Sequence, residues 1–260
     1  MHQDYKAVAF FDLDGTLLND QSTLDQEVIE TIQELKENQV LPIICTGRTN
    51  CEITEIQKEA KIDSAITLNG QRIEIEGEVI YQHHFPKEEV QRFVAFAKEH
   101  QDEVGFYTAD EIYLSGVNQA VEDCFEILHS PMPEVNANFP EEKEISMMLI
   151  FRDEDPVDDE YRNTFPEFEF YRNGLKAMDI VARGQSKGTA IQIVKKALDL
   201  RDIPTFGFGD GTNDFSMFAQ VDYPVAMGNA VEALKEQAIY ITKKNTEGGI
   251  RHALKHFHLI

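Results

Sequence analysis

The segment Phe10-Phe11-Asp12-Leu13-Asp14-Gly15-Thr16-Leu17 places two carboxylates, one residue apart, directly after an apolar stretch. The apolar residues Ala7–Phe11 predict a buried strand. If the extended backbone continues through Asp14, both carboxylates point to the same side, because side chains alternate along a strand. Two such acids repel each other unless a cation lies between them or one keeps its proton. The pattern therefore indicates a site for a hard divalent cation such as magnesium, although Asp and Gly also occur where a strand merely ends in a turn.

Three further segments carry polar residues where an apolar strand ends or a helix begins. Leu41–Cys45 runs into Thr46-Gly47-Arg48, and Thr205–Gly209 runs into Asp210-Gly211-Thr212-Asn213-Asp214. Lys187 opens a segment with helical spacing, where the helix dipole disfavours a cation unless an anion binds nearby. Ligands bind at the carboxyl ends of the strands in open α/β sheets. The four segments together therefore predict one site for a metal ion and a phosphate group.

In chain order, with Lys187 third and the Asp210 segment fourth, the four segments resemble the four motifs of the haloacid dehalogenase superfamily. The resemblance implies that Asp12 is the nucleophile and Asp14 the general acid/base. The phosphate ligands it implies are Thr46, the amide of Gly47, Lys187 and Asn213. The Mg²⁺ ligands it implies are Asp12, the backbone carbonyl of Asp14, Asp210, and Asp214 either directly or through water.

Three polar residues near these motifs keep alternative roles. Asn213 either binds phosphate or caps the short helix that follows it. Arg48 either faces the site or pairs with a nearby acid. Asn69, with Gly70, either faces a cleft or forms a tight turn. The sequence does not decide between them.

The implied reaction is the hydrolysis of a small phosphorylated metabolite, a sugar phosphate or a similar monoester, through an aspartyl-phosphate on Asp12. Asp14 protonates the leaving alcohol and then activates water. A phosphosugar mutase of the same superfamily would retain every motif. A non-enzymatic phospholigand-binding module would be expected to lose its nucleophile, whereas this chain keeps it. The sequence does not identify the physiological substrate.

Strands alternating with helices at both ends of the chain predict a doubly wound parallel α/β sheet, the Rossmann-like core of this superfamily. Between them, hairpin strands with helices predict an inserted α+β domain. Its length resembles that of the Cof-type subgroup, whose members have a large α+β cap. We expect residues 1–83 and 184–260 to form the catalytic core and residues 84–183 to form a cap that selects the substrate.

Several local patterns give finer expectations. Thr23 with Gln26 suits a capping box at the start of the first helix. The stretch 130–144 contains three prolines and predicts a loop. Residues 153–160 form an acidic piece that precedes two predicted strands, Glu167–Tyr171 and Ala177–Ala182. Cys45 ends an apolar strand and is expected to pack rather than react.

The composition restricts the partners. Asp and Glu total 47 against 24 Lys and Arg, a formal net charge of −23, which repels nucleic acid and anionic membranes. The sequence has no apolar run long enough to span a bilayer, its N-terminus lacks a signal-peptide pattern, and its three cysteines make no disulfide framework. We expect a cytoplasmic protein with a small-molecule phosphate ester as its partner. Because the overall charge also repels such a substrate, we expect the metal ion, Lys187 and the dipoles of backbone amides to make its site locally electropositive.

Overall fold

The computed structural model describes residues 5–127, 131–153, 157–172 and 176–260. These residues form two compact units. The first unit contains the chain up to Arg48, Glu52–Tyr81 and Ser186–Ile260. The second contains Thr49–Cys51 and Gln82–Gln185.

Strands supply the framework of both units. In chain order the strands of the described residues are β1 (Ala7–Phe11), β2 (Val40–Cys45), β3 (Ala65–Thr67), β4 (Arg72–Ile75), β5 (Glu78–Gln82), β6 (Glu103–Tyr107), β7 (Ile112–Leu114), β8 (Met147–Phe151), β9 (Phe168–Arg172), β10 (Ala177–Ala182), β11 (Thr205–Gly209), β12 (Tyr223–Ala226) and β13 (Tyr240–Ile241).

The helices vary in length from one turn to several. In chain order they are α1 (Gln26–Glu37), α2 (Asn50–Ala60), α3 (Lys87–Glu99), α4 (Gln119–Ile127), α5 (Phe139–Glu142), α6 (Val157–Thr164), α7 (Lys187–Ala197), α8 (Phe215–Phe218), α9 (Glu232–Lys235) and α10 (Gly249–His256). Of the helices that the structure describes, none is both long enough and apolar enough to cross a membrane.

The first unit is built on one sheet with the strand order β13-β12-β11-β1-β2-β3-β4-β5. The strand β1 pairs in parallel with β2 and β11, whereas β4 is antiparallel to β3. Alternation along β1 sends Phe11 into the layer that contains α1 and α10, and Phe10 into the layer that contains α7. Helices therefore cover both faces, and the predicted doubly wound α/β core is confirmed.

The register of this sheet determines where its strands end. Phe11 lies beside Ile44 of β2 and Phe208 of β11. The residues that follow these three strands therefore emerge at the same edge of the sheet, as the parallel topology requires.

The second unit contains an antiparallel sheet with the strand order β7-β6-β8-β10-β9. Its core is rich in aromatic side chains, and the ring of Phe93 from α3 lies within 6 Å of the rings of Tyr161, Phe165 and Phe168. Rings at such distances stabilise a core beyond their buried area. The predicted α+β character of the inserted segment is confirmed.

Two local expectations are wrong. The helix α1 begins at Gln26 without a side-chain cap, because the hydroxyl of Thr23 donates instead to Asn19 Oδ1 at 3.0 Å. The same oxygen accepts the backbone N–H groups of Gln21 and Thr23, so Asn19 organises this turn. The second is the predicted loop 130–144, of which the structure describes 131–144, because the short helix α5 lies within it. The helix α6 begins at Val157 in the acidic piece 153–160, of which residues 154–156 lie outside the described residues.

Candidate active site

Asp12 stands at the point where the central strand ends. Its backbone N–H still donates to Phe208 O at 2.9 Å, so Asp12 remains fixed to the sheet. The chain then makes a π-helical turn over Leu13–Leu17, with Gly15 in the left-handed region at φ +71°. Asp12 and Asp14 both keep extended dihedral angles, with φ −65° and ψ 163° at Asp12 and φ −70° and ψ 124° at Asp14. That their carboxylates point to the same side stays a prediction. The hydrogen-bonding partner of the Asp12 side chain comes from another segment of the chain.

Lys187 is this partner. Its Nζ lies 2.6 Å from Asp12 Oδ1 and 2.7 Å from Asp214 Oδ1. Lys187 and Asp214 are fully buried, and Asp12 is nearly so. One carboxylate oxygen from each of Asp12, Asp210 and Asp214 lies within 4.8 Å of the other two. Three carboxylates thus share one ammonium group, and we call these four residues the site cluster.

The start of α7 holds Lys187 in this position. Ser186 caps the helix, because its hydroxyl accepts the N–H of Thr189 at 3.1 Å while its own N–H donates to Thr189 Oγ1 at 2.8 Å. This reciprocal pair satisfies two backbone donors that the helix leaves free. The first helical residue, Lys187, is thereby directed into the buried cluster as the sequence analysis expected.

Asp214 organises the loop that follows β11. Its Oδ2 accepts the backbone N–H groups of Asp210 at 2.9 Å and Gly211 at 3.0 Å, while its Oδ1 contacts Lys187. Both oxygens of Asp214 therefore already have donors within the protein. This arrangement fixes the loop and the lysine at the same time.

Asp210 lies against the turn that follows Asp12. Its Oδ1 accepts the hydroxyl of Thr16 at 3.0 Å. A Cβ atom at Gly15 would come within 2.3 Å of Asp210 Oδ2, so no other residue fits there without a shift. The glycine of the first motif thus both permits the left-handed turn and makes room for the third carboxylate.

The electrostatics of the site cluster reflect its surplus of negative charge. Burial raises the pKa of Asp12 well above its ordinary value; Lys187 opposes this shift, and Asp214 and Asp210 add to it. Burial and the charge of Asp214 raise the pKa of Asp210 to about 7. Burial alone would lower the pKa of Lys187, but the charges of Asp12 and Asp214 raise it. Oxygen ligands with surplus negative charge fit a hard divalent cation.

Arg48 pairs with the other acid of the first motif. Its Nε donates to Asp14 Oδ2 at 2.8 Å, and its terminal nitrogen donates to Asp14 Oδ1. Burial lowers the pKa of Arg48, but the hydrogen bonds and charge of Asp14 raise it above its ordinary value. Of the two roles left open for Arg48, the structure shows pairing with an acid, and that acid belongs to the site.

The loop after β2 presents Thr46. Its side chain is buried, and its hydroxyl accepts the N–H of Arg48 at 3.2 Å. Gly47 lies between them and is half-buried. The backbone of Thr46 donates to Ile66 O at 2.9 Å and accepts the N–H of Asn69 at 3.0 Å. The loop is therefore fixed by the segment that follows β3.

Asn213 also contacts that segment. Its Nδ2 donates to Asn69 Oδ1 at 3.2 Å. The helix α8 begins after Asp214 and has no side-chain cap, so Asn213 does not take the capping role that the sequence left open. Asn69 thus lies between two of the predicted phosphate ligands.

The structure also contains contacts that motif reasoning missed. Asn229 Nδ2 donates to Gly15 O at 2.8 Å, and Asn245 Nδ2 donates to Leu18 O at 2.8 Å, so two amides hold the turn after Asp12. Asn229 follows β12, a further parallel strand of the sheet, and the rule that polar residues gather at strand ends would have found it. Asn69 follows the parallel strand β3 in the same way, and the sequence analysis left its role open. The contact of Thr16 with Asp210 depends on the turn after Asp12.

Comparison with known proteins identifies the family. The profile of the haloacid dehalogenase-like hydrolases matches residues 9–254, so the chain belongs to this family. The putative phosphatase YkrA of Bacillus subtilis (strain 168) is 32% identical over 252 residues, which are 96% of this chain and 97% of that protein. A solved subclass IIB sugar phosphatase superposes with a TM-score of 0.87 at 31% identity, covering 98% of this chain and all of that one.

A phosphatase of the same superfamily from Bacteroides thetaiotaomicron gives a TM-score of 0.90 at 25% identity, covering 98% of this chain and 96% of that one. The family, the relatives and the arrangement of the four motifs agree. The protein is a hydrolase that acts on phosphate esters.

Proposed function

We propose that this phosphatase is magnesium-dependent and hydrolyses small phosphorylated metabolites, sugar phosphates among them, through an aspartyl-phosphate on Asp12. The observation that carries the proposal is the site cluster, in which Lys187 lies within 2.7 Å of two carboxylates and a third stands beside them. The sugar phosphatase among the structural neighbours supports the substrate class. The role of residues 84–183 in choosing the substrate stays a prediction.

Mg²⁺ would be held by Asp12, the backbone carbonyl of Asp14, and Asp210. Asp214 would act through water, since both of its oxygens already accept hydrogen bonds. When bound, the ion would neutralise the carboxylates and stabilise negative charge on the phosphoryl oxygens. The donor set supports this assignment, because oxygen ligands are those that Mg²⁺ prefers.

Asp12 would act as the nucleophile. Lys187 holds its Oδ1 at 2.6 Å, which orients the carboxylate and leaves Oδ2 for attack on phosphorus. Attack forms an Oδ2–P bond and breaks the bond from phosphorus to the ester oxygen. Lys187, Thr46, the amide of Gly47 and Asn213 would bind the phosphoryl oxygens and so lower the barrier.

Asp14 would carry the protons. In the first step its carboxylic acid would give a proton to the departing alcohol. In the second its carboxylate would take a proton from the water that attacks phosphorus, and the Oδ2–P bond breaks, which releases phosphate and restores the Asp12 carboxylate. The two hydrogen bonds from Arg48 fix the orientation of this side chain. Its exposure on the other side gives water access to it.

A panel of phosphorylated metabolites, assayed for phosphate release with and without a chelator, tests this proposal. We expect release from sugar phosphates in Mg²⁺ and none in excess chelator. Mass spectrometry of rapidly quenched reactions should find a phosphoryl group on the peptide that contains Asp12, and none on an Asp12→Asn protein. Full turnover in chelator would contradict the metal role, and turnover without phosphorylated Asp12 would contradict the covalent route.

A further inference from the structure

The segment after β3 contains three consecutive residues with positive φ. The values are +54° for Leu68, +51° for Asn69 and +101° for Gly70. Leu68 and Asn69 are also fully buried. Leucine has no side-chain group that could compensate for a left-handed backbone, so this turn is strained. Such strain persists where the surroundings over-determine the backbone, and it concentrates at functional sites.

Backbone contacts fix the turn to two motifs of the site. The N–H of Leu68 donates to Arg48 O at 2.9 Å, and the N–H of Asn69 donates to Thr46 O at 3.0 Å. A Cβ atom at Gly70 would come within 2.3 Å of Ser186 O, so the turn packs directly against the start of α7. The left-handed backbone is therefore what allows one short turn to meet the Thr46 loop and the Lys187 helix together.

The side chain of Asn69 extends the contact to a third motif. Its Oδ1 accepts a hydrogen bond from Asn213 Nδ2 at 3.2 Å. Asn213 directly precedes Asp214, whose carboxylate contacts Lys187. A single residue thus connects the loop of Thr46, through its backbone, with the loop of Asn213, through its side chain.

We propose that Asn69 is a positioning residue of the phosphate subsite, which sets Thr46 through its backbone N–H and Asn213 through its side-chain amide. This inference rests on the proposed function, in which Thr46 and Asn213 bind phosphoryl oxygens. Asparagine suits the position on two counts, because it tolerates the left-handed region better than most residues and supplies the acceptor for Asn213. The strained turn is retained because it aligns two ligands of one anion.

Competitive inhibition by inorganic phosphate measures this subsite without a full turnover. Asn69→Gly removes the amide and keeps the left-handed backbone free of strain, whereas Asn69→Ala removes the amide and adds strain. Both variants should raise the inhibition constant for phosphate about fivefold, the effect of one neutral hydrogen bond. The melting temperature of Asn69→Ala should be about 2–4 °C below that of Asn69→Gly, because only alanine is strained at this φ.

Gln39 provides the matched control. It is an exposed residue with φ +63° that lies outside the site. Gln39→Gly and Gln39→Ala should differ in melting temperature as the Asn69 pair does, with an unchanged inhibition constant for phosphate. If Asn69→Gly keeps the wild-type inhibition constant while Asn69→Ala does not, only the backbone matters and the role of the amide is overturned.

Two further variants separate this inference from the proposed function. The double variant Asn69→Gly/Asn213→Ala should have nearly the same inhibition constant for phosphate as Asn213→Ala alone, because the two side-chain amides form one hydrogen bond with each other. Thr46→Val should raise the inhibition constant for phosphate by the same factor whether residue 69 is asparagine or glycine. If Thr46→Val raises this constant and Asn69→Gly does not, the positioning role is overturned and the phosphate subsite stands. If neither does, the assignment of the subsite itself is overturned.

Discussion

Each unit of the molecule buries a cluster of charged side chains, and the two clusters differ in charge balance. In the second unit, Arg152 Nη1 lies 3.0 Å from Asp102 Oδ2, and its Nε lies 3.3 Å from Asp158 Oδ1. Arg172 contacts Asp158 Oδ2 at 2.5 Å, and the hydroxyl of Tyr161 donates to Asp102 Oδ2 at 2.7 Å. Two carboxylates thus meet two guanidinium groups, and we call these five residues the Arg152 cluster.

The site cluster of the first unit sets three carboxylates against one ammonium group. Among the described residues the charges of the Arg152 cluster cancel, whereas those of the site cluster cancel only when protons or an added cation make up the difference. Burial, followed by the charge of Asp214, raises the pKa of Asp210 to about 7. Both clusters are buried, so the comparison teaches that their charge balance is what distinguishes the candidate functional cluster from the structural one.

The largest expected effect is on turnover, and it concerns a substitution in the site cluster that should leave the free energy of unfolding unreduced. Asp12→Asn keeps the shape of the side chain and removes its charge and nucleophilicity, so turnover should fall by at least about a thousandfold. Because the substitution also removes one of the crowded carboxylates, the free energy of unfolding without metal should not fall. Phosphate-release assays and urea unfolding measure the two quantities. Ordinary turnover in this variant would show that Asp12 is not the nucleophile.

A pair of substitutions compares the two clusters directly. Lys187→Met and Arg152→Met each remove a buried cation and leave carboxylates unpaired, so each should lower the free energy of unfolding by about 3–5 kcal/mol. Urea unfolding of both proteins checks this. Only Lys187→Met should also abolish turnover under conditions where both proteins remain folded. Equal losses of turnover in the two variants would remove the distinction between the clusters.

A smaller effect concerns the pH dependence of stability without metal. Because the pKa of Asp210 is raised from 3.8 to about 7 in the folded protein, the folded state binds more protons than the unfolded state between these values. The free energy of unfolding in chelator should therefore fall as the pH rises from about 4 to about 7. Asp210→Asn should reduce this slope, and Arg152→Met should keep it. An identical slope in the wild type and Asp210→Asn would contradict the raised pKa.

The sequence predicted the convergence of Asp12, Lys187, Asp210 and Asp214, because each follows a strand or opens a helix. The parallel register, with Phe11 beside Phe208, then brings such positions to one edge of the sheet. This part of the site follows from topology, and topology follows from the alternation of strands and helices. This convergence can be predicted without knowing the geometry of any turn.

Other contacts could not be read from the sequence, because they depend on backbone conformations that motifs do not specify. Asn69 meets Thr46 and Asn213 only because Leu68 and Asn69 adopt the left-handed region. Arg48 donates to Asp14 within the turn that follows Asp12, where Gly15 adopts the left-handed region. Both cases involve a few dihedral angles, which hydrophobic periodicity does not encode.

Calorimetric titration of the chelator-treated protein with Mg²⁺ tests the central claim, that the site cluster has too few cations of its own. The account predicts one ion bound per chain, with protons released at pH 6 and few at pH 8, because the pKa of Asp210 is about 7. Asp210→Asn should weaken binding by about tenfold or more, and Arg152→Met should bind as the wild type does. Absence of Mg²⁺ binding to the wild type, or equal binding by Asp210→Asn, would contradict the account.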